Sequence, residues 1–149
     1  MATGSEAAHG APPPSGSRTL EVTVVSPAGV IYEGRAAWVV VPGQNGSLGV
    51  YPRHAELVAS LGVGPLRIGT GGANVARFAV WGGFVRVGHD KVTVLVDRAV
   101  TEANVNEAAA RQELEEALAE LQHPRTDAEF EELLEKRAWS ETRIKLART

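Results

Sequence analysis

Short apolar runs and alternating apolar and polar positions fill the first part of the chain. Residues 20–24 alternate, which is typical of a β-strand that buries one face. Residues 37–41 are continuously apolar, as in a strand that lies between two layers. Stretches rich in valine and aromatic residues predict further strands at residues 75–81, 84–87 and 92–96.

Turn-forming residues separate these strands. Proline, glycine, asparagine and aspartate cluster at residues 27–29, 42–43, 45–46, 71–72, 82–83 and 88–90. Strands that recur about every 8 to 12 residues, with turns between them, indicate an antiparallel sandwich or barrel. Because strands and helices do not alternate along the sequence, a parallel sheet is not expected.

The chain changes composition after Asp97. Glycine does not occur beyond Gly88, and alanine, glutamate, leucine and arginine predominate. Apolar residues recur at helical spacing over residues ~104–122 and ~126–146, on either side of Pro124. This pattern predicts an α-helical hairpin. The expected N-terminal capping pairs are Asn104 with Glu107 and Thr126 with Glu129.

The amino terminus differs from both parts. It contains alanine, glycine, serine and consecutive prolines, without the apolar stretch of a signal peptide or the arginine content of a transit peptide. Such a composition is typical of a disordered tail. We therefore predict an α+β, mostly β, chain in three parts: a disordered tail (1–18), an antiparallel β-sandwich (19–99) and a helix-turn-helix (100–149).

Composition limits the classes of function. The formal net charge is −3, so no overall field attracts nucleic acid or an anionic membrane. The chain has no cysteine, which excludes disulfides and thiolate metal sites. No apolar run approaches the roughly 18 to 20 residues that span a bilayer. We therefore expect membrane association only through a partner.

The sequence also lacks the motifs of common catalytic sites. The histidines are far apart, and no H-x-H motif, G-x-x-x-x-G-K-[ST] phosphate loop or G-x-S-x-G nucleophile motif occurs. Asp90 and Asp97 lie at turn or strand-end positions, where a capping role is the default interpretation. We expect no catalytic, cofactor or metal site.

One loop and the tryptophans are candidates for protein contacts. Tyr51 and Arg53 are residue types common in interfaces, and His54 beside them is either a turn histidine bonded to nearby backbone or an interface contact. Trp38 and Trp81 are expected in the core. The third tryptophan, Trp139, is either an exposed contact or part of a second packing face of its helix.

The second predicted helix is acidic at its start and basic at its end. Its basic residues are Lys136, Arg137, Arg143, Lys145 and Arg148. This distribution suits the helix dipole, and it also suits contact with an acidic partner. The apolar stripe of the first helix is thin and rich in alanine. The hairpin therefore needs a surface to lie on, and it can also undock.

Three segments, in their order and spacing, resemble the epsilon subunit of F-type ATP synthases. They are GSLGVYPRHA at 46–55, FAVWGGFVRV at 78–87 and KVTVLV at 91–96, and the resemblance covers about residues 20–149. It implies a ten-stranded β-sandwich, a C-terminal helix-turn-helix, no cofactor and a non-catalytic role in the central stalk. It also implies a peripheral location at the cytoplasmic face of a bacterial plasma membrane, or at the stromal side of thylakoids.

The resemblance implies partners and contact residues as well. The sandwich would bind the gamma subunit and the ring of membrane c subunits (the c-ring). The loop that resembles the c-ring contact supplies Asn45, Gly46, Ser47, Tyr51 and His54. Because the family often has glutamate in place of Ser47 and glycine in place of Arg53, we expect Arg53 and Glu56 to take part in a rebuilt contact.

The resemblance also implies a regulatory role for the two helices. In the family they can extend along gamma to the catalytic beta and alpha subunits and restrain ATP hydrolysis, with the basic residues of the second helix facing acidic groups. Some bacterial members bind ATP through an [IL]-D-x-x-R-A motif. Here Asn106 and Ala109 replace its aspartate and arginine. Without that guanidinium, bidentate phosphate recognition is lost, so no nucleotide binding is expected.

The residues alone leave two other classes open. One is a ligand-binding or enzymatic β-sandwich with a helical appendage, which a pocket of convergent polar side chains would favour. The other is an adaptor that uses its hairpin in an oligomer. A flat edge with exposed Tyr51 and His54 would favour the stalk subunit.

Overall fold

A computed structural model describes residues 18–149; apart from Arg18, the predicted tail lies outside the described residues. Strands occupy the first part and helices the last. The strands are β1 (Leu20–Ser26), β2 (Gly29–Ala36), β3 (Trp38–Gly43), β4 (Gly46–Val50), β5 (Leu57–Gly71), β6 (Asn74–Gly88) and β7 (Lys91–Thr101). The helices are α1 (Glu107–Glu120) and α2 (Asp127–Ala147).

The strands form a sheet that folds over itself into two layers. Their order is β2-β1-β7-β6-β5-β3-β4. Neighbouring strands are antiparallel, except that β1 and β7 pair in parallel, a partner choice that the period of the residues does not encode. Tyr32 on β2 meets Phe78 on β6 edge to face, with ring centroids 5.9 Å apart. Since β2 and β6 are not neighbours in the sheet, this contact joins the two layers.

The alternation predicted for the first strand is present. Leu20, Val22 and Val24 of β1 point into the core, and each is at most 1% exposed. Burial of apolar surface stabilises the fold by about 25 cal/mol per Å². The predicted antiparallel sandwich followed by a helical hairpin is confirmed in its architecture.

The expected number of ten strands is wrong for residues 18–149, which contain seven. Residues 75–81 and 84–87, predicted as two strands, belong to one 15-residue strand, β6. Gly82 and Gly83 have φ angles of 72° and 119°, so the strand bends there without ending. Pairing with β5, also 15 residues long, keeps one register on both sides of the bend. Each long strand thus contributes to both layers.

The first helix begins later than predicted. Asn106, and not Asn104, caps α1, since its side chain accepts from the Ala109 amide at 3.0 Å. Asn104 lies in the turn after β7. Both asparagines precede the same apolar stripe, which is why the sequence did not distinguish them. Thr126 caps α2 as predicted and accepts from the Glu129 amide at 3.0 Å.

The helical hairpin is docked on the sandwich. α2 lies against β5 and β6, and α1 packs on α2. Trp139 and Leu146 of α2 are buried against Ala79 of β6. Trp139 therefore belongs to a second packing face and is not an exposed contact.

The prediction that Trp38 and Trp81 fill the core is wrong, because both are only half-buried. Trp81 lies in the interface between the sheet and α2. Trp38 covers Gly69, where an added Cβ atom would come within 2.1 Å of the indole ring. A residue with a side chain at that position would displace the ring.

Candidate functional site

The predicted contact loop begins with a tight turn. The His54 amide donates to the Tyr51 carbonyl at 3.1 Å, which closes a four-residue β-turn. Pro52 occupies its second position, and Arg53 occupies the third with a φ of 70°. These are features of a type II turn, whose third position favours glycine or asparagine. The loop therefore holds an arginine in a backbone conformation better suited to glycine.

Asp90, in the turn between β6 and β7, anchors this loop. Its carboxylate accepts from the Arg53 backbone amide at 2.7 Å and from Arg18 Nε at 2.9 Å. The Arg53 amide, and after it Arg18, hold the pKa of Asp90 below its usual range, because both favour the charged carboxylate. His89 and Asp90 have φ angles of 52° and 58°, as in a two-residue hairpin turn. Two turns that contain residues with positive φ angles thus meet at one carboxylate.

The side chains of the loop differ in exposure. Tyr51 is 58% exposed, and Arg53 and Glu56 are also exposed. His54 is half-buried, and its Nδ1 lies 2.7 Å from the Ala55 carbonyl oxygen. That ring is bonded within the loop, as the turn interpretation of His54 expects. The loop tip presents an aromatic residue and an arginine to solvent.

The structure brings distant residues to the loop that the sequence did not predict. His89 Nε2 lies 3.1 Å from a Glu56 carboxylate oxygen, and Asp90 and Arg18 join the turn as described. These partners come from the chain start and from the β6–β7 hairpin, so they are remote in sequence. The turn residues of the hairpin were visible in the sequence, but their proximity to the loop was not.

The remaining predicted contact residues lie at a second place. Asn45, Gly46 and Ser47 form the exposed tip of the hairpin between β3 and β4, where Gly46 has a φ of 125°. Gly46 and Ser47 begin β4, and the rest of this five-residue strand separates the tip from Tyr51. An extended strand of this length spans about 13 Å at about 3.3 Å per residue. The predicted site is therefore two neighbouring loops and not one continuous patch.

An exposed apolar row crosses the outer face of the sandwich. It consists of Val25, Val30, Phe84 and Leu95, which we call the apolar row. The strand registers pair Phe84 with Leu95, Leu95 with Val25, and Val25 with Val30. Phe84 is 55% exposed, Leu95 47% and Val30 40%. The sequence analysis missed this row. Val25, Phe84 and Leu95 occupy the solvent-facing phase of their strands, whereas Val30 has the same parity as the buried Tyr32 and reaches the outer face through the register shift at Val24 and Val25.

A second cluster joins the sandwich to α2. The rings of Trp81 and Trp139 have centroids 5.7 Å apart. The guanidinium carbon of Arg98 lies 4.9 Å from the first centroid and 5.2 Å from the second. We call Trp81, Arg98 and Trp139 the aromatic clamp. Each cation–π contact of this kind contributes about 0.5 to 2 kcal/mol.

The basic residues of α2 fall into different environments. Arg143 is only 9% exposed; it pairs with Glu113 of α1 and lies 5.3 Å from the Trp139 ring centroid. The other four are exposed or at the helix end. Three of those four form surface ion pairs: Lys136 with Glu132, Arg137 with Glu141, and Arg148 with Glu107. In the docked arrangement Arg143 is therefore inaccessible to a partner.

The described residues were also compared with the requirements of metal binding, nucleotide binding and membrane spanning. Within residues 18–149, no group of three or more histidine or carboxylate side chains is placed to hold a metal ion. Asn106, at the position of the nucleotide motif, uses its side chain to cap α1. Of the two helices that the structure describes, neither is both long and apolar enough to cross a membrane.

Comparison with known proteins gives consistent relatives. Residues 19–102 match the family described as the β-sandwich domain of the ATP synthase delta/epsilon chain. The chain is 43% identical to the ATP synthase epsilon chain of Laribacter hongkongensis over 112 residues, which are 74% of this chain and 80% of the relative. It is 35% identical to that of Rhodospirillum rubrum over 125 residues, or 84% of this chain and 93% of the relative.

Solved structures share the fold. A chain of the mitochondrial ATP synthase of Euglena gracilis superposes with a TM-score of 0.76 at 21% identity, covering 91% of this chain and 86% of that chain. A chain from the central stalk and c-ring of the Tetrahymena thermophila mitochondrial ATP synthase gives 0.57 at 18% identity, covering 87% and 98%.

These observations define a class of protein, a two-layer β-sandwich with a docked helical hairpin. The chain belongs to the ATP synthase epsilon-chain family, whose members are stalk subunits and not catalytic ones. Family membership decides against the ligand-binding or enzymatic sandwich and against an unrelated adaptor.

Proposed function

We propose that this chain joins the gamma subunit to the c-ring in the rotor of a proton-translocating F-type ATP synthase. It transmits torque and makes or breaks no covalent bond. The observation that carries this proposal is the apolar row. Contiguous apolar residues on an otherwise polar surface usually mark an interaction site. An aromatic residue flanked by aliphatic ones is a common anchor in such sites.

We assign the apolar row to gamma. In the docked arrangement α2 covers β5 and β6 around Trp81, so that part of the sandwich is occupied. The row lies instead across β2, β1, β7 and the second half of β6. Val30, Phe84 and Leu95 remain exposed, and Val25 is half-buried between them. A subunit that transmits torque needs a stable interface with its partner. Burial of apolar surface in the contact provides that stability.

We assign the two loops to the c-ring. Tyr51, Arg53 and Glu56 are exposed at one loop, with His54 half-buried beside them. The tip formed by Asn45, Gly46 and Ser47 is exposed at the other. Both loops are polar, and the first carries both signs of charge, in Arg53 and Glu56, which suits contact with polar loops that join membrane helices.

The helical hairpin is proposed to restrain ATP hydrolysis after it leaves the sandwich. It would then extend along gamma, with Lys136, Arg137, Arg143, Lys145 and Arg148 facing acidic groups on the catalytic beta and alpha subunits. Arg143 must rearrange more than the other four residues, because its ion pair with Glu113 of α1 must break first. Release of the hairpin is thus coupled to separation of its two helices.

The proposed location follows from these partners. The chain would lie at the cytoplasmic face of a bacterial plasma membrane, or at the stromal side of thylakoids in a plastid, and would reach the membrane only through its partners. No cofactor and no nucleic acid enters the proposal.

Substitution of Phe84 tests the gamma assignment. Phe84→Asp places a charge in the apolar row and leaves the buried Val85 and Val87 in place. We expect its affinity for ATP synthase stripped of this subunit to fall by about 100-fold, the loss typical of an interface anchor. The matched control is Phe130→Asp on α2, since Phe130 is 40% exposed and lies outside the row. Wild-type affinity of Phe84→Asp, with an unchanged melting temperature, would contradict the assignment.

A further inference from the structure

The backbone conformation at position 53 does not favour an arginine. Its φ of 70° lies in the left-handed region, which is unfavourable for residues that carry a Cβ atom. Pro52 before it fixes the second position of the turn, and the third position then favours glycine or asparagine. Strained positions of this kind concentrate at functional sites. The presence of arginine at this position is therefore explained by a role of its side chain and not by the backbone conformation.

The loop is held without the Arg53 side chain. The Arg53 amide donates to Asp90 at 2.7 Å, and the His54 amide closes the turn on the Tyr51 carbonyl at 3.1 Å. Asp90 is held in turn by Arg18. All the bonds that fix Arg53 are made by its main chain, so removal of the guanidinium leaves them intact.

The Arg53 guanidinium is exposed and unpaired in the described chain. No carboxylate oxygen lies within 4 Å of it among residues 18–149, although, after the hydrogen bond from the Arg53 backbone amide, its charge contributes to the lowered pKa of Asp90. The nearest loop carboxylate, Glu56, pairs with His89. Tyr51, two residues away on the same turn, is 58% exposed. The loop tip thus offers, beside an exposed aromatic ring, a planar cation that has no ion-pair partner within 4 Å in the described residues.

We propose that Arg53 pairs with a carboxylate side chain on the protein surface that this loop meets in the complex, and that it sets the specificity of that contact. This inference rests on the proposed function. A guanidinium forms two parallel hydrogen bonds to a carboxylate, which a lysine cannot reproduce. Ser47, in the neighbouring loop tip, carries no charge. The positive charge that this surface offers to a partner therefore comes from Arg53.

An anionic lipid surface fits the loop less well. Sequence segments that bind such surfaces cluster about 4 to 8 lysine or arginine residues. Here Arg53 is followed by Glu56, and the whole chain has a net charge of −3. One arginine in this setting suits a single complementary carboxylate.

The test is binding of the full chain to ATP synthase stripped of this subunit, at low and at high salt. Arg53→Gly removes the guanidinium and relieves the left-handed backbone, so it should melt no lower than wild type. We expect its affinity at low salt to be about 10-fold weaker, and the difference to shrink at about 0.5 M salt. Arg53→Lys should recover only part of the loss. Arg125→Gly, in the loop between the helices, is the matched control and should bind like wild type.

The outcomes separate this inference from the function on which it rests. If wild type binds and Arg53→Gly binds equally well at low salt, the inference is overturned and the proposed function stands. If wild type does not bind at all, the proposed function fails. If the isolated chain binds vesicles that contain phosphatidylglycerol, and Arg53→Gly abolishes that binding, the contact is with lipid and the carboxylate proposal is overturned.

Discussion

Trp81 on β6 donates its indole N–H to the carboxylate of Glu135 on α2 at 2.9 Å, and this hydrogen bond ties the sandwich to the helical hairpin. The same indole packs against Trp139, with Arg98 over both rings. A hydrogen bond and an aromatic contact that hold the hairpin thus both involve the side chain of Trp81. A small set of contacts can be broken together, as a regulatory element that docks and undocks requires.

Removal of Trp139 should release the hairpin. Trp139 is 3% exposed, and replacing a buried tryptophan with alanine costs about 3 to 5 kcal/mol. Because α2 adds to the sandwich without completing its main core, we expect Trp139→Ala to undock the helices and leave the strands folded. Amide hydrogen exchange should show faster exchange over residues 107–147 and unchanged protection over residues 20–101.

The control for this variant is Phe130→Ala, on the same helix and 40% exposed, which should leave protection of the helices unchanged. Loss of protection in the strands of Trp139→Ala would mean that the helices are part of one cooperative unit with the sandwich.

The Asp90 anchor predicts a pH dependence. Its folded pKa lies below the unfolded value of about 3.9, so its stabilising contribution is present above about pH 4. That contribution is lost as the pH falls through the folded pKa. We expect the melting temperature of Asp90→Asn to fall less steeply below pH 4 than that of wild type. The control is Asp97→Asn, whose carboxylate has no hydrogen-bond partner within residues 18–149 and whose melting curve should follow wild type. Parallel curves for Asp90→Asn and wild type would remove Asp90 as the anchor.

Deletion of residues 104–149 separates the two proposed roles of the chain. The sandwich keeps its own core from Leu20 to Val96, so the truncated chain should fold and still bind the complex. If the hairpin is inhibitory, the complex with the truncated chain should hydrolyse ATP faster than the complex with the full chain. An equal rate would reject inhibition and leave the stalk role intact.

Nucleotide binding is a separate prediction. Asn106 is committed to capping α1, and Ala109 has no guanidinium for a phosphate. Equilibrium dialysis of the isolated chain should show no retention of ATP at micromolar concentrations. Retention in that range would mean that other residues have replaced the lost motif.

Local patterns in the sequence predicted much of the fold. The period of two on β1, the glycine-rich turns and the Thr126 cap depend on neighbouring residues, and the structure agrees with them. The strand count failed at Gly82 and Gly83, because a glycine pair bends a continuous strand as readily as it ends one.

The contacts around the candidate site join residues that are far apart in the sequence and close only in the folded chain. Arg98 and Trp139 lie over each other although 41 residues separate them, and Asp90 reaches Arg53 across 37 residues. No local pattern encodes such pairs. The apolar row required the register of four strands, which fixes Phe84, Leu95, Val25 and Val30 side by side. The contact loop was proposed from residue types and from the family resemblance, and its anchor, Asp90, was not predicted.

Co-purification tests the central claim most directly. A tagged form of the full chain, expressed in its own host and extracted from membranes in mild detergent, should bring down the gamma subunit and the c-ring together. If the apolar row holds the chain on the rotor, as we propose, Phe84→Asp should bring down much less of both. Recovery of the wild-type chain without gamma and without the c-ring would contradict the account.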